Sequence, residues 1–174
     1  MTAEQPLANK IGLVFGLAND RSYAWHISQA LLAAGAEVIF TYYPTDKNER
    51  RFRSALKELE AEQAEAWPCD VTEDDDLDRL FENIKARHDR LDFVVHSVAF
   101  ANKDYLKPGR FHETPRDVWN QALDTSAYSL IGIAQRAKPL MAAGGSIIAM
   151  SYLGGEKVVP GYNVMGVAKA VLEM

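Results

Sequence analysis

The chain has 174 residues, 48% hydrophobic and 25% charged, with 19 Lys+Arg against 24 Asp+Glu for a net charge of −5. That is one domain's worth of chain with enough apolar material for a core, which excludes a disordered or low-complexity protein and, on its mildly acidic balance, a nucleic-acid binder. The single cysteine, Cys69, excludes an internal disulfide and any CxxC motif. No apolar stretch reaches the ~20 residues of a membrane span, and the opening MTAEQPLANK carries no signal-peptide core. A cytoplasmic protein with no membrane partner is expected.

Strands and helices are predicted in alternation. Ile11–Phe15 is a short apolar run, and Ser22–Ala34 is a helix with Ile27, Leu31 and Ala34 on one face, closed by Gly35. Val38–Tyr43 is a second strand. Lys47–Glu60 places Phe52, Leu56 and Leu59 on one helical face, and Glu65–Pro68 is a third strand. Thr72 is predicted to cap a helix whose first turn holds Glu73, Asp74, Asp75 and Asp76, acids that offset the positive end of the helix dipole. Leu91–Val98 is a nearly all-apolar strand suited to a sheet covered on both faces. A loop with Pro108 and Gly109 follows, then a long helix from about Pro115 to Met141, a strand Ser146–Ser151 and a final helix. This order predicts an α/β fold, a doubly wound, Rossmann-type parallel sheet with helices on both faces. Ligands in such sheets bind at the carboxyl ends of the strands, so the residues after each strand carry the functional signal.

After the first strand, Gly16 permits close approach of backbone to a phosphate, and the following helix offers free N–H groups to a pyrophosphate. An ordinary strand-to-helix turn reads the same way, because the loop is not G-x-G-x-x-G. Tyr42-Tyr43-Pro44 ends the second strand without the acid that holds ribose hydroxyls or the base that holds a 2′-phosphate. Asp46, Lys47, Arg50 and Arg51 follow, as a cofactor determinant or as the solvated face of a helix. Cys69-Asp70-Val71 offers a carboxylate to an adenine amino group, or only helix-entry chemistry. The small residues in His96-Ser97-Val98-Ala99-Phe100-Ala101 let a ribose lie against the backbone. Tyr162 and Lys169, seven apart, fall nearly on one helical face. Beside such a lysine a tyrosine gains phenolate-like character and can hydrogen-bond or protonate an oxygen that develops negative charge.

Together these residues resemble the bacterial enoyl-acyl-carrier-protein reductases, a divergent branch of the short-chain dehydrogenase/reductases, from about Ala8 to the end of the chain. The resemblance rests on Gly16-x5-Ser22-x-Ala24, Phe40-Thr41-Tyr42, Cys69-Asp70-Val71, the His96–Ala101 segment and Ser151-Tyr152-Leu153-Gly154-Gly155. Its most specific part is Tyr162-Asn163-Val164-Met165-Gly166-x-Ala168-Lys169-Ala170, because Met165 stands where the Tyr-x3-Lys of ordinary short-chain reductases would place its tyrosine. The resemblance implies an oxidoreductase of fatty acid biosynthesis that uses NAD as NADH, with NADP not excluded. Its substrate would be an enoyl thioester on acyl carrier protein, and its assembly a homotetramer. It implies that Tyr162 hydrogen-bonds the enolate oxygen, that Lys169 holds the nicotinamide ribose and that Tyr152 lines the acyl site. Gly16, Ser22 and Tyr23 would face the pyrophosphate, Tyr43 the adenosine, Asp70 and Val71 the adenine, Val98 the ribose and Ala101 the substrate end. Tyr43 and Gly161 depart from the family, whose members commonly carry glutamine and asparagine there.

Two other readings compete. A 3-ketoacyl or carbonyl reductase of the same superfamily lacks support because Tyr-x3-Lys is absent. A non-catalytic dinucleotide-binding protein is disfavoured by the intact Tyr152, Tyr162 and Lys169. No metal is expected, since His26, His88, His96 and His112 share no ligand spacing, and no G-x-S-x-G string is present. Only five strands can be counted where the doubly wound dinucleotide fold has six or more. Residues 1–174 are therefore expected to form a single dinucleotide-binding domain, incomplete at its C-terminus. The fifth strand and last helix would then have apolar faces without cover.

Overall fold

The computed structural model describes residues 5–174. Its five strands are β1 (Ile11–Phe15), β2 (Glu37–Tyr42), β3 (Ala66–Pro68), β4 (Phe93–His96) and β5 (Ser146–Ala149). They pair entirely in parallel in the order β3-β2-β1-β4-β5. The chain winds outward from β1 to β3, then crosses back to lay β4 on the other side of β1. Loops leaving β1 and β4 therefore diverge and open a crevice at the carboxyl ends of these strands. This is the doubly wound architecture expected from the sequence.

Six α-helices connect and cover the strands: α1 (Tyr23–Ala33), α2 (Asp46–Glu58), α3 (Asp74–Arg87), α4 (Arg116–Leu123), α5 (Ser129–Ala137) and α6 (Asn163–Glu173). Alternation along the strands divides the core in two. Leu13, Phe15, Ile39 and Val94 pack with Leu80 and Ile84 of α3 and Ile133 of α5. Val14, Val38, Phe40 and Val95 pack on the opposite face with Ala24 of α1 and Phe52 and Leu56 of α2. Each such large side chain taken out of water contributes about 1.5–3 kcal/mol. Among the described strands β5 lies at an edge, and its Ile148 is 52% exposed.

Three local expectations are corrected. Thr72 does not cap α3, whose N-cap is Glu73. The Thr72 amide and hydroxyl both donate to Asp70 Oδ1, at 3.0 and 2.7 Å, an Asx-type turn that consumes the hydroxyl. Strand β4 is shorter than the apolar run Leu91–Val98, because the chain leaves the sheet after His96 to line the crevice. The long helix is broken by a π-turn over Asp124–Tyr128 and ends in a 3₁₀ turn over Lys138–Met141. Asp124, Thr125 and Ser126 are poor helix formers. Ser126 Oγ accepts from the Phe100 amide at 3.0 Å and donates to the Phe100 carbonyl at 3.2 Å, so the wide turn is tied to the chain leaving β4.

At the opposite end of the sheet, Asp92 accepts from Lys10 Nζ at 2.8 Å, from the Ile11 amide at 2.9 Å and from Arg90 Nε at 3.2 Å. The Lys10 and Ile11 bonds hold its carboxyl down at about 2. Among the described residues no helix is long and apolar enough to cross a membrane.

Candidate active site

A cleft of about 850 Å³ lies at the carboxyl ends of β1, β2, β3 and β4. Five of the residues to which the resemblance gives a cofactor role line it: Gly16, Tyr43, Asp70, Val71 and Val98. Gly16 has φ +94°, and a Cβ there would come within 2.0 Å of the Ser97 carbonyl oxygen. The exits of β1 and β4 therefore touch at a point where only glycine fits, and the floor of the cleft is bare backbone.

Ser22 is the N-cap of α1, yet its hydroxyl donates to the Asn19 carbonyl at 2.7 Å and makes no cap bond to the helix. The first turn of α1 also contains no acid. No side chain therefore takes up the amides of this turn, which carry the positive end of the helix dipole, although the Trp25 amide donates to the Ser22 carbonyl at 3.0 Å. Across the cleft, the Asp70 carboxylate beside the Tyr43 phenol pushes the phenol's pKa up. Cys69 also lines the cleft, but burial, then Asp76 and Asp70, push its thiol up to about 12, so it stays protonated and unreactive.

Tyr152 and Tyr162 meet beyond β5, and Lys169 reaches Met150 just past the end of that strand. Tyr152 precedes the 3₁₀ turn Leu153–Gly155 and is 49% exposed. Its ring meets that of Tyr162 edge-on, with centroids 4.9 Å apart. Tyr162 is the N-cap of α6 rather than part of the helix. Its neighbour Asn163, at φ +43°, anchors the turn by donating from Nδ2 to the Tyr105 and Lys107 carbonyls. Lys169, in α6, is 5% exposed and donates from Nζ to the Met150 carbonyl at 2.5 Å. Burial lowers its pKa, with Glu173 opposing.

The expected phenolate-like character of Tyr162 is not found. Burial first, then Tyr152 and Tyr23, raise its pKa, and the phenol remains a proton-bearing donor. Tyr23, exposed at the start of α1, is thus close enough to act on Tyr162. Ala101 is half-buried one residue past the cleft wall at Phe100. Ser22, Tyr23, Ala101, Tyr152, Tyr162 and Lys169 do not line the cleft itself. Sequence reasoning missed Asp117, Gln121, Asp124 and Thr125, which line it from α4 and the π-turn. The signal was present in Asp124-Thr125-Ser126, a polar triplet in the middle of a helical pattern.

Known proteins share this fold and are similar in sequence. The chain is 47% identical over 167 residues to the NADH-dependent enoyl-[acyl-carrier-protein] reductase FabI of Bacillus cereus, covering 96% of this chain and 64% of that protein. It is 45% identical over 170 residues to the corresponding Synechocystis enzyme, covering 97% of this chain and 65% of the relative. The crystal structure of the Anaplasma phagocytophilum enoyl-(acyl-carrier-protein) reductase in complex with NAD superposes with a TM-score of 0.91 at 42% identity, covering 99% of this chain and 64% of that one. The chain thus spans just under two thirds of the length of the relatives it matches. The profile of the enoyl-(acyl carrier protein) reductase family matches residues 16–174, and the chain belongs to that family.

Proposed function

We propose that this protein serves the NADH-dependent reduction of a trans-2-enoyl thioester carried on acyl carrier protein, and that residues 1–174 act as one dinucleotide-binding domain. The observation that carries this reading is the edge-on packing of Tyr152 and Tyr162 beyond the carboxyl end of β5, the end of the sheet at which the glycine-floored cleft opens. The cleft fits a dinucleotide. Its floor is backbone at Gly16, and the start of α1, without a side-chain cap, would offer amides to the pyrophosphate. Asp70 and Val71 would hold the adenine, Tyr43 and Val98 would flank the adenosine and ribose, and Ser22 and Tyr23 would face the pyrophosphate. Lys169 would hold the nicotinamide ribose. When bound, the reduced nicotinamide supplies the hydride.

Tyr162, held protonated by burial, donates a hydrogen bond to the thioester oxygen as negative charge gathers there. Tyr152 packs against its ring and narrows the conformations open to it. Ala101 would bound the substrate end. Among the described residues the cleft lining holds Asp70, Asp117 and Asp124 and no Lys or Arg, a negative surround that disfavours a 2′-phosphate and supports NADH over NADPH. A homotetramer and a cytoplasmic location accompany this reading on the strength of the family resemblance.

The test is NADH consumption with crotonyl thioester, measured on this chain and on a chimera extended by the C-terminal remainder of the Bacillus cereus relative. Turnover with crotonyl thioester in the chimera supports the reading. Turnover with acetoacetyl thioester instead assigns a carbonyl reductase, and NADH binding without turnover of either leaves a binding protein.

A further inference from the structure

We propose that His96, as its Nε2–H tautomer, is the positioning residue that sets where the Lys169 ammonium sits. His96 is the last residue of β4, is 0% exposed and does not line the cleft. Its side chain is tied to α5, with Nε2 2.8 Å from Ser129 Oγ. Ser129 Oγ in turn donates to the Thr125 carbonyl at 2.7 Å. A hydroxyl has one proton, and this one is committed to Thr125, so the imidazole must be the donor in the His96–Ser129 bond. That assigns the proton to Nε2 and leaves Nδ1 with a bare lone pair. Among the described residues, Nδ1 is the one buried side-chain nitrogen or oxygen without a hydrogen-bond partner.

The backbone of the same residue reaches the lysine. The His96 carbonyl accepts from the Met150 amide at 2.9 Å, and the Met150 carbonyl accepts from Lys169 Nζ at 2.5 Å. His96 is therefore fixed to α5 through its ring and to the acceptor of Lys169 through its carbonyl. Anchoring the ring on Ser129 orients the His96 peptide, that peptide orients Met150, and Met150 aims the ammonium. A neutral ring is also required there. Burial, followed by the charge of Lys169, holds the imidazole down at about 4, so no second cation competes for the same space. The π-turn supplies Thr125, the acceptor that fixes this proton arrangement, and Ser126, which ties the next loop at Phe100.

The proposal rests on the reading of Lys169 as a residue of the nicotinamide end, and it is tested with ligands that separate the two ends of the cofactor. On that reading NADH would extend from the cleft to Lys169, whereas ADP would occupy only the adenosine and pyrophosphate end. His96→Leu is expected to weaken NADH about tenfold while leaving ADP within about twofold, the scale of one buried hydrogen bond. His96→Gln, whose Nε2 can donate from the same place, is expected to restore NADH affinity to within about twofold of the original. Equal losses for NADH and ADP in His96→Leu, or a folded His96→Gln that binds no better than His96→Leu, overturn the proposal. If His96→Leu does not fold, Ser129→Ala removes the same bond with little change of volume and is expected to give the same NADH-selective loss. If the unaltered chain binds no NADH, the cofactor reading fails by itself. The positioning role is then decided by the ¹⁵Nζ resonance of Lys169, expected to move in His96→Leu and not in His96→Gln. An unmoved resonance in both overturns it.

Discussion

The Tyr162 ring lies directly over Gly154, so close that a Cβ on that glycine would come within 2.3 Å of Tyr162 Cδ1 and 2.7 Å of Cε1. The glycine is the seat of the tyrosine, and the Tyr152 ring closes the same contact from the other side. Gly154→Ala is expected to push Tyr162 off its seat, lowering turnover of the extended enzyme and destabilising the fold by about 1–3 kcal/mol, the usual cost of overpacking. Thermal melts beside initial rates check this, with Val158→Ala as control because Val158 is 98% exposed. Unchanged rates in Gly154→Ala would remove the seat from the mechanism.

Tyr162 and Lys169 are expected to fail differently. Tyr162→Phe keeps the ring and loses the donor, so kcat should fall about 10²–10³-fold with NADH affinity unchanged. Lys169→Ala should instead raise the Kd for NADH about tenfold, as expected for loss of a charged hydrogen bond. Because the Tyr162 phenol is held above its ordinary 10.0, loss of its proton should not limit the rate until the pH passes above that value. Titration of NADH binding and a pH–rate profile of the extended chain separate these effects.

Acid is expected to destabilise the fold through His96. Its folded value of about 4 lies below the ordinary 6.5, so the unfolded chain binds this proton more readily. Stability from the neutral ring is therefore complete above pH 6.5 and is lost as the pH falls through about 4. The full loss amounts to about 3 kcal/mol. Urea unfolding of the chain and of His96→Gln across this range should show the stability difference shrinking toward acid. Parallel curves would assign acid sensitivity to other groups.

The cleft's three carboxylates are expected to discriminate between cofactors. NADPH should bind about tenfold more weakly than NADH, a repulsion of the size given by charges separated by partly solvated space. Asp124, whose pKa is raised by burial, then by Asp70 and Asp74, lies within this negative field. Asp124→Asn should narrow the gap between the two cofactors, and the gap in the unaltered chain should shrink in high salt. Equal affinities in low salt would contradict the electrostatic account.

Sheet type, element order and the residues at the strand exits were legible in the sequence because each rests on local patterning. The apolar run Leu91–Val98 suited a sheet covered on both faces, and Gly16 marked a strand exit open to close approach, though not that the backbone approaching it is Ser97. The break at Asp124–Tyr128 was only half legible: Asp124-Thr125-Ser126 is a polar triplet within a helical pattern, but the Phe100 backbone that Ser126 binds lies across the fold. The state of Tyr162 was equally hidden. Spacing placed Lys169 near one helical face with it, whereas the ammonium is occupied by Met150 and burial governs the phenol. Thr72 shows the same limit on a smaller scale, because a capping serine or threonine and an Asx-turn partner look alike in one dimension.

The position of β1 has a consequence for how the molecule assembles. Among the described strands β1 precedes both of its partners in the chain, paired on one side with β2 and on the other with β4. Strands β1, β2 and β3 join through successive crossovers and can associate as they emerge. The second flank of β1 must wait for Asp92, whose carboxylate closes onto the Ile11 amide across 81 positions of chain. Until then Leu13 and Phe15 lack the Val94 wall that buries them. Long-range parallel pairing of this kind slows folding, so the half-built sheet is the species at greatest risk of association during synthesis.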